Sequence, residues 1–552
     1  MKLPLTISTA TALMLTVAVV LILTFVLRPH RRRRKPLNLP PGPRGWPVFG
    51  SLGLLTGALP PHRVLAELAA RHGELMHLRL GSFDLVVASS AEAARLVLKT
   101  HDLAFAGRPP AAWGVILSYG YRGIVQTPHG SYWRMARKLC ATELFSPRRV
   151  DAFEHVRVQE TRAMAHRLFE TAGAAVHVKE HLMGFTTRNI LRMVLGDKWS
   201  PGSNSAAAAG GGGGGEGEEL WRLLGAAFAV SGAVDNVREW LPWLGWLDLQ
   251  GFLRRMKRVH VLLDRFKERV LREHEEDRRR RRRAGAGEVA ARDLVDVLLQ
   301  VAEDGHEKPA ETRLTRDGIK AIIQDIFAGG TETAALTMEW AMAAELLLNP
   351  TAMSAAAGEL NRVVGRERWV AESDLPGLTY IEAVVKETMR LHPVGPLLVP
   401  HCASEDTAVA AAGGEYDIPA GARVLVNAWA VGRDPAAWPD APGEFRPERF
   451  LAGGGAEGVD ARGAHFQLVP FGSGRRMCPA YCLAMKEVAA ALANLVHGFS
   501  WRLPDGVPPE DVSMEGSFGL SMCMKRPLVA VAEPRLPAHL YTTPRSSTSR
   551  SG

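Results

Sequence analysis

The stretch PFGSGRRMCPAYCLA, residues 470–484, decides the fold. It places Cys478 after a run of glycines and arginines, and before an apolar segment that predicts a helix beginning near Tyr481. A cysteine thiolate is a strong, soft metal ligand, but it needs surroundings that stabilise its charge. Gly472 and Gly474 permit a turn whose backbone N–H groups point at the sulfur. The N-terminal dipole of the following helix also favours an anion.

The two arginines in this stretch indicate the kind of metal group. Arg475 and Arg476 supply positive charge for an acidic group on a cofactor. One thiolate with cationic partners suits heme iron, because an axial thiolate pushes electron density onto the iron. The pair Cys478 and Cys482 also suggests an iron–sulfur cluster, but no third or fourth cysteine stands at a suitable spacing, which disfavours that interpretation. The remaining alternative is a structural turn around a buried cysteine.

This stretch resembles the heme-binding loop of the cytochrome P-450 family, whose pattern is F-x-x-G-x-R-x-C-x-G. Phe471, Gly474, Arg476 and Cys478 match that pattern, whereas Ala480 stands at the last position, where the family has glycine. Alanine is small, so we expect the change to be tolerated. The resemblance implies a heme b cofactor whose iron takes the Cys478 thiolate as its axial ligand.

A second segment resembles the family's E-x-x-R pair. In KETMRLHP, residues 386–393, Glu387 and Arg390 are three residues apart and therefore share a helical face. In the family a later arginine joins them, and here it is Arg449 of FRPERF. The resemblance implies a buried Glu–Arg–Arg cluster that stiffens the core beside the heme. The alternative is an ordinary surface pair on a helix.

A third segment is AGGTETAAL, residues 328–336, which has two adjacent glycines within a helical pattern. Each glycine costs a helix about 1 kcal/mol relative to alanine, so something should offset that cost. The segment resembles the family pattern [AG]-G-x-[DE]-T. That implies that Gly329 and Gly330 open space for dioxygen, and that Glu332 and Thr333 relay protons. The alternative is close packing of another helix against the glycines.

The fourth segment is YWRMARK, residues 132–138, in which Trp133 and Arg137 match the family's W-x-x-x-R pattern. Residues four apart share one helical face, and both side chains donate hydrogen bonds. The resemblance implies that both donate to a heme propionate. An ordinary amphipathic helix is the alternative.

The body of the chain predicts a mainly helical domain with small peripheral β-sheets. Apolar residues recur at three-to-four spacing in most segments. The stretch from His72 predicts a short hairpin, and strand-like pieces return between Tyr416 and Val426. The resemblance implies the cytochrome P-450 fold behind one N-terminal transmembrane helix. The predicted boundaries are 51–540 for the heme-thiolate monooxygenase domain, 201–219 and 275–288 for low-complexity loops, and 541–552 for a disordered tail.

The amino terminus predicts a membrane anchor. Residues 5–27 contain no charge, and as a helix they would span about 34 Å, enough for a bilayer core of about 30 Å. The cluster RPHRRRRK follows, and positive charge stays on the cytosolic side. A cleaved signal peptide, the alternative, would carry its charge before the apolar core. Residues 1–35 are therefore predicted to be a single-pass anchor, and the proline-rich residues 36–50 a stiff hinge.

The four motifs stand in the family's order, and the chain resembles its plant microsomal A-type members. The segments HRVLAELAARHGELMHLRLGS, residues 62–82, and LKTHDLAFAGRP, residues 98–109, most resemble that group's ninety-two family. The resemblance implies a monooxygenase of the endoplasmic reticulum membrane with a cytosolic catalytic domain. It would insert one atom of O2 into a lipophilic small molecule of flavonoid or other phenolic, terpenoid, steroid or fatty-acid type. A heme-thiolate isomerase or dehydratase, and a non-catalytic membrane-anchored heme protein, are the alternatives.

The chain has no credible G-x-G-x-x-G on a strand–helix unit, which disfavours a flavin or nicotinamide domain of its own. Electrons would then come from an NADPH-dependent flavoprotein reductase, as the resemblance implies.

The net charge of +9 comes largely from two arginine runs without interleaved aromatic residues, which disfavours nucleic-acid binding. Five scattered cysteines do not form a disulfide framework, so a reducing compartment is expected.

Overall fold

The computed structural model is mainly helical, with small sheets at its periphery, as the sequence predicts. The described residues are 12–14, 16–18, 20, 37–199, 222–227, 237–242, 246, 248, 250–284, 291–305, 307 and 309–542. The helices are α1 (Leu52–Leu55), α2 (Pro61–His72), α3 (Ala91–Arg95), α4 (Ala112–Ile116), α5 (Ser131–Leu139), α6 (Pro147–Ala152), α7 (Glu154–Glu170), α8 (Val178–Leu195), α9 (Val237–Trp240), α10 (Phe252–Arg283), α11 (Leu294–Asp304), α12 (Arg316–Trp340), α13 (Pro350–Val363), α14 (Thr379–Leu391), α15 (Ala428–Val431) and α16 (Tyr481–Gly498).

Helix α12 is the central element. It begins at a cap in which the Thr315 side chain accepts a hydrogen bond from the Gly318 N–H, satisfying one of the free donors of the first turn. Most of its length is buried, including Phe327 and Trp340, because it packs against α8 on one side and α16 on another. Such burial on several sides makes α12 a rigid support for the residues along it.

The strands form four small sheets. A four-stranded sheet has the order β1–β2–β7–β4, in which only β2 and β7 run parallel. A three-stranded antiparallel sheet has the order β3–β11–β8, and β5–β6 and β9–β10 are pairs. The strands are β1 (Leu75–Leu80), β2 (Phe83–Ala88), β3 (Ala175–His177), β4 (His401–Cys402), β5 (Thr407–Ala411), β6 (Gly414–Ile418), β7 (Arg423–Val426), β8 (Phe499–Arg502), β9 (Gly516–Ser517), β10 (Cys523–Met524) and β11 (Val529–Pro534).

Both strand predictions are confirmed. The hairpin expected from His72 is β1–β2, with Leu75 paired to Ala88 and Leu80 paired to Phe83. The pieces expected between Tyr416 and Val426 correspond to β6 and β7.

The arginine-rich segment differs from the prediction of a loop over 275–288. Residues 275–283 complete α10, because arginine favours helix and because these side chains have partners on α11. Arg278 is buried and donates to the Asp296 carbonyl at 3.1 Å and to the Glu303 carboxylate at 3.0 Å. The prediction failed because it weighed the charge of the run and not the acidic helix beside it. Residues 285–288 and the other predicted loop, 201–219, lie outside the described residues.

The two ends of the domain also differ from the predicted boundaries. Tyr541, assigned to a disordered tail, is buried, and its ring stacks on Phe169 with centroids 4.7 Å apart. At the other end, the proline-rich segment is docked on the domain rather than standing free. The His77 N–H donates to the Pro41 carbonyl at 2.9 Å, and the Asn38 N–H donates to Asp417 at 2.9 Å. Residues 543–552 lie outside the described residues.

The predicted membrane anchor lies almost wholly outside the described part of the chain. Of residues 5–27, only 12–14, 16–18 and 20 are described. Within the described residues, no helix combines the length and apolar character that crossing a membrane requires.

Candidate active site

The cysteine loop forms a tight turn ahead of α16. The Cys478 N–H donates to the Phe471 carbonyl at 2.9 Å and closes the turn. Gly472 and Gly474 both adopt positive φ, at 67° and 64°, which favours glycine. A Cβ on Gly474 would also overlap the Leu98 carbonyl oxygen, so this glycine lets two backbone segments touch. The turn aims the Cys478 side chain into a cavity.

The Cys478 thiol lies in surroundings that both penalise and stabilise its charge. Burial raises its pKa, whereas the Ala480 N–H and the nearby Arg137 guanidinium lower it. A metal ion deprotonates a coordinating thiol outright, so these groups would stabilise a bound thiolate. Ala480 itself has φ −102° and ψ 18°, which alanine adopts without strain. The alanine that departs from the family pattern therefore imposes no backbone cost here.

The cavity has a volume of about 560 Å³ and is lined mostly by apolar side chains. Helix α12 forms one wall through Gly329 and Thr333, and the cysteine loop forms another. Trp133 and Arg137 of α5 also line it. Segments more than 300 residues apart in the sequence thus meet around one space.

Arg476 lies on the wall next to the cysteine. Its Nε donates to the Ala106 carbonyl at 2.9 Å, and its Nη2 donates to the Thr127 carbonyl at 2.7 Å. Its guanidinium lies 4.4 Å from the centre of the Trp133 ring. Burial, with Arg137 nearby, lowers its pKa to about 10. A cation is therefore held here against a desolvation cost.

Two further buried groups add positive charge or hydrogen-bond donors to the same wall. Arg108 donates to the carbonyls of Val125, Val399 and Pro400 at 2.8 to 2.9 Å, and burial beside Arg476 lowers its pKa to about 9. Burial, with Arg108 as the next cause, lowers the pKa of His401 to about 3.

These cations lack acidic partners. Within the described residues, Arg108, Arg137 and Arg476 form no ion pair with a carboxylate, and the Arg476 Nη1 is buried without a hydrogen-bond partner. Burying unpaired positive charge costs free energy, which an anionic ligand offsets. The donor set therefore fits the acidic groups of heme, and the thiol of Cys478 fits its iron.

The two glycines of α12 have different surroundings. A Cβ on Gly329 would meet no atom within 4 Å, so this position opens onto the cavity. A Cβ on Gly330 would overlap Ile190 of α8, so this position serves close helix packing. Both glycines line the cavity, as the family resemblance implies, and the packing given as the alternative also describes Gly330.

The two predicted proton-relay residues, Thr333 and Glu332, differ in their position relative to the cavity. Thr333 lines the cavity, and its hydroxyl donates to the Gly329 carbonyl at 2.6 Å. Glu332 is not among the residues that line the cavity in the described part of the chain. Burial raises the pKa of Glu332, and a hydrogen bond from Ser521, which does line the cavity, lowers it.

The structure brings Glu387, Arg390 and Arg449 together in one buried cluster. Arg390 donates to both oxygens of the Glu387 carboxylate at 2.6 and 2.7 Å, and the Arg449 Nε donates to it at 2.9 Å. The Arg446 N–H donates a further hydrogen bond at 2.8 Å. The Arg390 guanidinium also donates to three carbonyls of the segment that precedes Arg446, which ties α14 to the chain leading to the cysteine loop.

Sequence reasoning missed Asp325. This buried carboxylate of α12 accepts hydrogen bonds from the Ile124 N–H at 2.6 Å and the Val125 N–H at 3.0 Å. It fixes the backbone at Ile124 and Val125, which line the cavity, and burial raises its pKa. The available signal was its spacing, because Asp325, Gly329 and Thr333 are four residues apart and share one helical face.

Taken together, a thiol at the end of a glycine turn, a wall of unpaired cations and an apolar space over a helix define a heme-thiolate protein. The sequence matches the family description "Cytochrome P450" over residues 40–529. The chain belongs to that family. Proteins named as monooxygenases are among its relatives, and the chain is accordingly a monooxygenase, an oxidoreductase that incorporates oxygen from O2.

The similar proteins include plant enzymes of more than one type. The chain is 65% identical over 542 residues to a trimethyltridecatetraene synthase of Zea mays, covering 97% of this chain and 95% of that protein. It is 64% identical over 546 residues to a dimethylnonatriene synthase of Zea mays, covering 98% and 99%. A flavonoid 3'-monooxygenase of Petunia hybrida is 40% identical over 527 residues, covering 95% and 98%.

Solved structures of the family have the same fold. A zebra fish cytochrome P450 structure with progesterone matches with a TM-score of 0.70 and 26% identity, covering 86% of this chain and all of that one. A second zebra fish structure, with abiraterone, gives a TM-score of 0.68 at the same coverage.

The residues around the cavity have separate roles toward heme b. Cys478 would ligate the iron, and Arg108, Arg137 and Arg476 would pair with its acidic groups. Bound heme supplies the iron at which O2 is activated. The chain's own contributions are an apolar space that excludes water, and the Thr333 hydroxyl, held at the cavity by the Gly329 carbonyl.

Proposed function

We propose that this monooxygenase acts on acyclic terpenoids. The observation that carries the proposal is the contrast in similarity. The chain is 64–65% identical along nearly its whole length to two synthases named for acyclic polyenes, but about 40% identical to a flavonoid 3'-monooxygenase. The mostly apolar cavity supports a hydrocarbon-rich substrate.

The carbon counts in those names indicate a reaction type. Dimethylnonatriene has a nine-carbon chain with two methyl branches, hence eleven carbons, and trimethyltridecatetraene likewise has sixteen. Terpenoids are built from five-carbon units, and both counts fall four carbons short of a multiple of five. We therefore propose that the enzyme cleaves a carbon–carbon bond oxidatively and removes a four-carbon unit from a C15 or C20 terpenoid. O2 is the oxidant and NADPH supplies two electrons through the reductase. The four carbons leave as a carbonyl compound, and the remaining oxygen leaves as water.

The second candidate substrate is a flavonoid. It is favoured by the several flavonoid hydroxylases, 37–40% identical, that match more than nine-tenths of this chain. A flat phenolic would need several polar partners in the cavity. Those on α12 are Asp325, Thr333 and Thr337, and Gln126 lines the cavity outside this helix. Asp325 already accepts two backbone hydrogen bonds, so the two threonines are the remaining polar side chains on this helix.

The substrate experiment uses the full chain in microsomes together with a plant NADPH-dependent flavoprotein reductase. Acyclic C15 and C20 terpenoid alcohols and a flavonoid are supplied in parallel, and products are analysed by gas and liquid chromatography with mass spectrometry. We expect volatile hydrocarbons four carbons shorter than the alcohols, formed only with NADPH and the reductase. A hydroxylated flavonoid with no change in the terpenoids would overturn the proposal in favour of the second candidate.

We also propose that the chain is a single-pass protein of the endoplasmic reticulum membrane with its catalytic domain in the cytosol. Support comes from the uncharged residues 5–27 and the basic cluster after them. Near the start of the domain, Trp46 is 79% exposed and Phe49 54% exposed. Aromatic side chains of this kind favour a membrane interface, so this part of the domain is expected to face the lipid.

Membrane attachment is tested by deleting residues 1–35. We expect the full chain to stay with membranes after a carbonate wash, and its catalytic domain to be digested by protease added to intact microsomes. The deletion variant should be extracted far more readily. Protection of the domain from added protease would contradict the cytosolic orientation.

A further inference from the structure

Gln126 is a buried polar residue on the cavity wall whose side chain has no hydrogen-bond partner among the described residues. It is 3% exposed and lines the cavity. Within the described part of the chain, its carboxamide makes no side-chain hydrogen bond, and the Oε1 is buried and unpaired. A buried carboxamide that forms no hydrogen bond is costly, so a residue of this kind points to a missing ligand.

The backbone on both sides of Gln126 is fixed. The Val125 N–H donates to the Asp325 carboxylate at 3.0 Å, and the Thr127 carbonyl accepts from the Arg476 Nη2 at 2.7 Å. These two anchors come from α12 and from the cysteine loop, which are themselves buried or tightly turned. Gln126 is therefore held at a defined position, as a recognition residue must be.

The chemistry of a carboxamide restricts the ligand. It offers both a donor and an acceptor, whereas the unpaired Arg476 Nη1 offers a donor only. The ionised acidic groups of heme accept hydrogen bonds but donate none, so they suit Arg476 and leave the Gln126 oxygen unpaired. A hydroxyl group donates and accepts, and so it can pair with the carboxamide in either orientation.

We propose that Gln126 binds the hydroxyl group of a terpenoid alcohol substrate and so positions that substrate in the cavity. This inference rests on the proposed function. Acyclic terpenoid chains are nearly uniform along their length, so apolar contacts alone discriminate poorly between positions. One hydrogen bond at Gln126 fixes which part of the chain lies beside Thr333, on the wall of the same cavity.

The experiment measures binding to the heme-loaded protein by the change in heme absorbance during titration. Three probes share one C15 acyclic skeleton: the alcohol, its methyl ether and the hydrocarbon. In the wild type we expect the alcohol to bind about fivefold to tenfold more tightly than either other probe, as one buried neutral hydrogen bond provides. For each probe, the dissociation constant of a variant is divided by that of the wild type. Partitioning of the probe into detergent or lipid affects both constants equally and therefore cancels.

Three variants separate recognition from folding. Gln126→Leu keeps a similar volume and should bind all three probes about equally. Gln126→Asn keeps the carboxamide on a shorter side chain and should retain part of the preference for the alcohol. Gln324→Leu is the matched control, since Gln324 is also buried but pairs with Lys267 at 3.1 Å and is not among the cavity-lining residues described. It should leave the preference unchanged.

Two outcomes would overturn the inference. In the first, Gln126→Leu retains the preference for the alcohol. In the second, Gln126→Leu lowers the heme content while the probe ratios stay at the wild-type values, which would assign the carboxamide to the cofactor. Failure of the proposed function is distinguishable, because the wild type would then bind none of the probes or leave the alcohol unconverted.

Discussion

Glu387 is a single negative charge from which water is fully excluded. Its side chain is 0% exposed, and it accepts hydrogen bonds from Arg390, Arg449 and the Arg446 N–H. Removing one partner of a buried ionic cluster costs more than the cluster itself contributes, because the remaining charges stay buried. Replacing Glu387 should therefore lower the free energy of unfolding far more than replacing a surface glutamate on the same helix.

Glu387→Gln is expected to lower the free energy of unfolding by about 3–5 kcal/mol, because two buried guanidinium groups lose their counterion. The measurement is denaturant unfolding of the heme-loaded protein, followed by circular dichroism. Glu382→Gln is the control, since Glu382 is an exposed carboxylate on the same helix that pairs with Lys386 at 2.9 Å. Its cost should stay below about 1 kcal/mol. Equal costs for the two variants would contradict the role of the cluster.

His62 makes stability depend on pH. It is buried against Trp429 and Phe518, and burial, with Arg63 and Arg433 as lesser causes, lowers its pKa to about 3. The unfolded chain takes up a proton near pH 6.5, whereas the folded protein does not. The stabilisation is thus fully present above pH 6.5 and is lost as the pH falls toward 3.

His62→Phe keeps an aromatic ring but removes the titrating group. Between pH 6.5 and 5.5 the wild type should lose about 1 kcal/mol of stability that this variant retains. Unfolding free energies at several pH values measure the difference. His539→Phe, at an exposed position, should follow the wild type. If the unfolding free energies of wild type and His62→Phe change with pH in parallel, His62 is not the source of the pH dependence.

At the scale of the element, α12 has two adjacent glycines with opposite surroundings. Gly329→Ala adds a methyl group in open space and should stabilise the helix by up to about 1 kcal/mol. The same methyl group projects into the cavity and should weaken binding of bulky ligands. Gly330→Ala meets Ile190 and should destabilise the fold by about 1–3 kcal/mol.

The stability of the Gly329→Ala and Gly330→Ala variants is measured by thermal unfolding, and their ligand affinity by titration of the heme-loaded protein. Gly330→Ala combined with Ile190→Val tests the cause, because the smaller side chain should recover part of the lost stability. Equal destabilisation by both alanines would contradict the different surroundings of the two glycines.

Elements with strong local patterns could be predicted from the sequence, and those decided by distant partners could not. The hairpin β1–β2 and the long helix α12 follow from periodicity. The prediction of a loop at the arginine run is wrong for residues 275–283. Their helical state depends on contacts with α11, which the run itself does not indicate. The docking of Pro41 on His77 of β1, and of Asn38 on Asp417 of β6, likewise depends on backbone hydrogen bonds to partners that no local pattern reveals.

At the scale of the whole molecule, the site combines motifs that could be located separately and contacts that could not. Cys478, Arg476, Trp133 and Thr333 line one cavity, as their order along the chain implied. Ile124 and Val125 line part of that cavity, yet their position depends on Asp325, outside every motif. Long-range hydrogen bonds of this kind leave no periodic trace in the sequence.

The measurement that tests the account most directly is the carbon monoxide difference spectrum of the dithionite-reduced protein in microsomes. The wild type should give a strongly red-shifted Soret band from thiolate-ligated heme, and Cys478→His should lose it. Cys482→Ser, four residues away, should keep it, since Cys482 is not among the cavity-lining residues described. A red-shifted band that survives in folded Cys478→His, or that is absent from well-expressed wild type, would contradict ligation by the Cys478 thiolate.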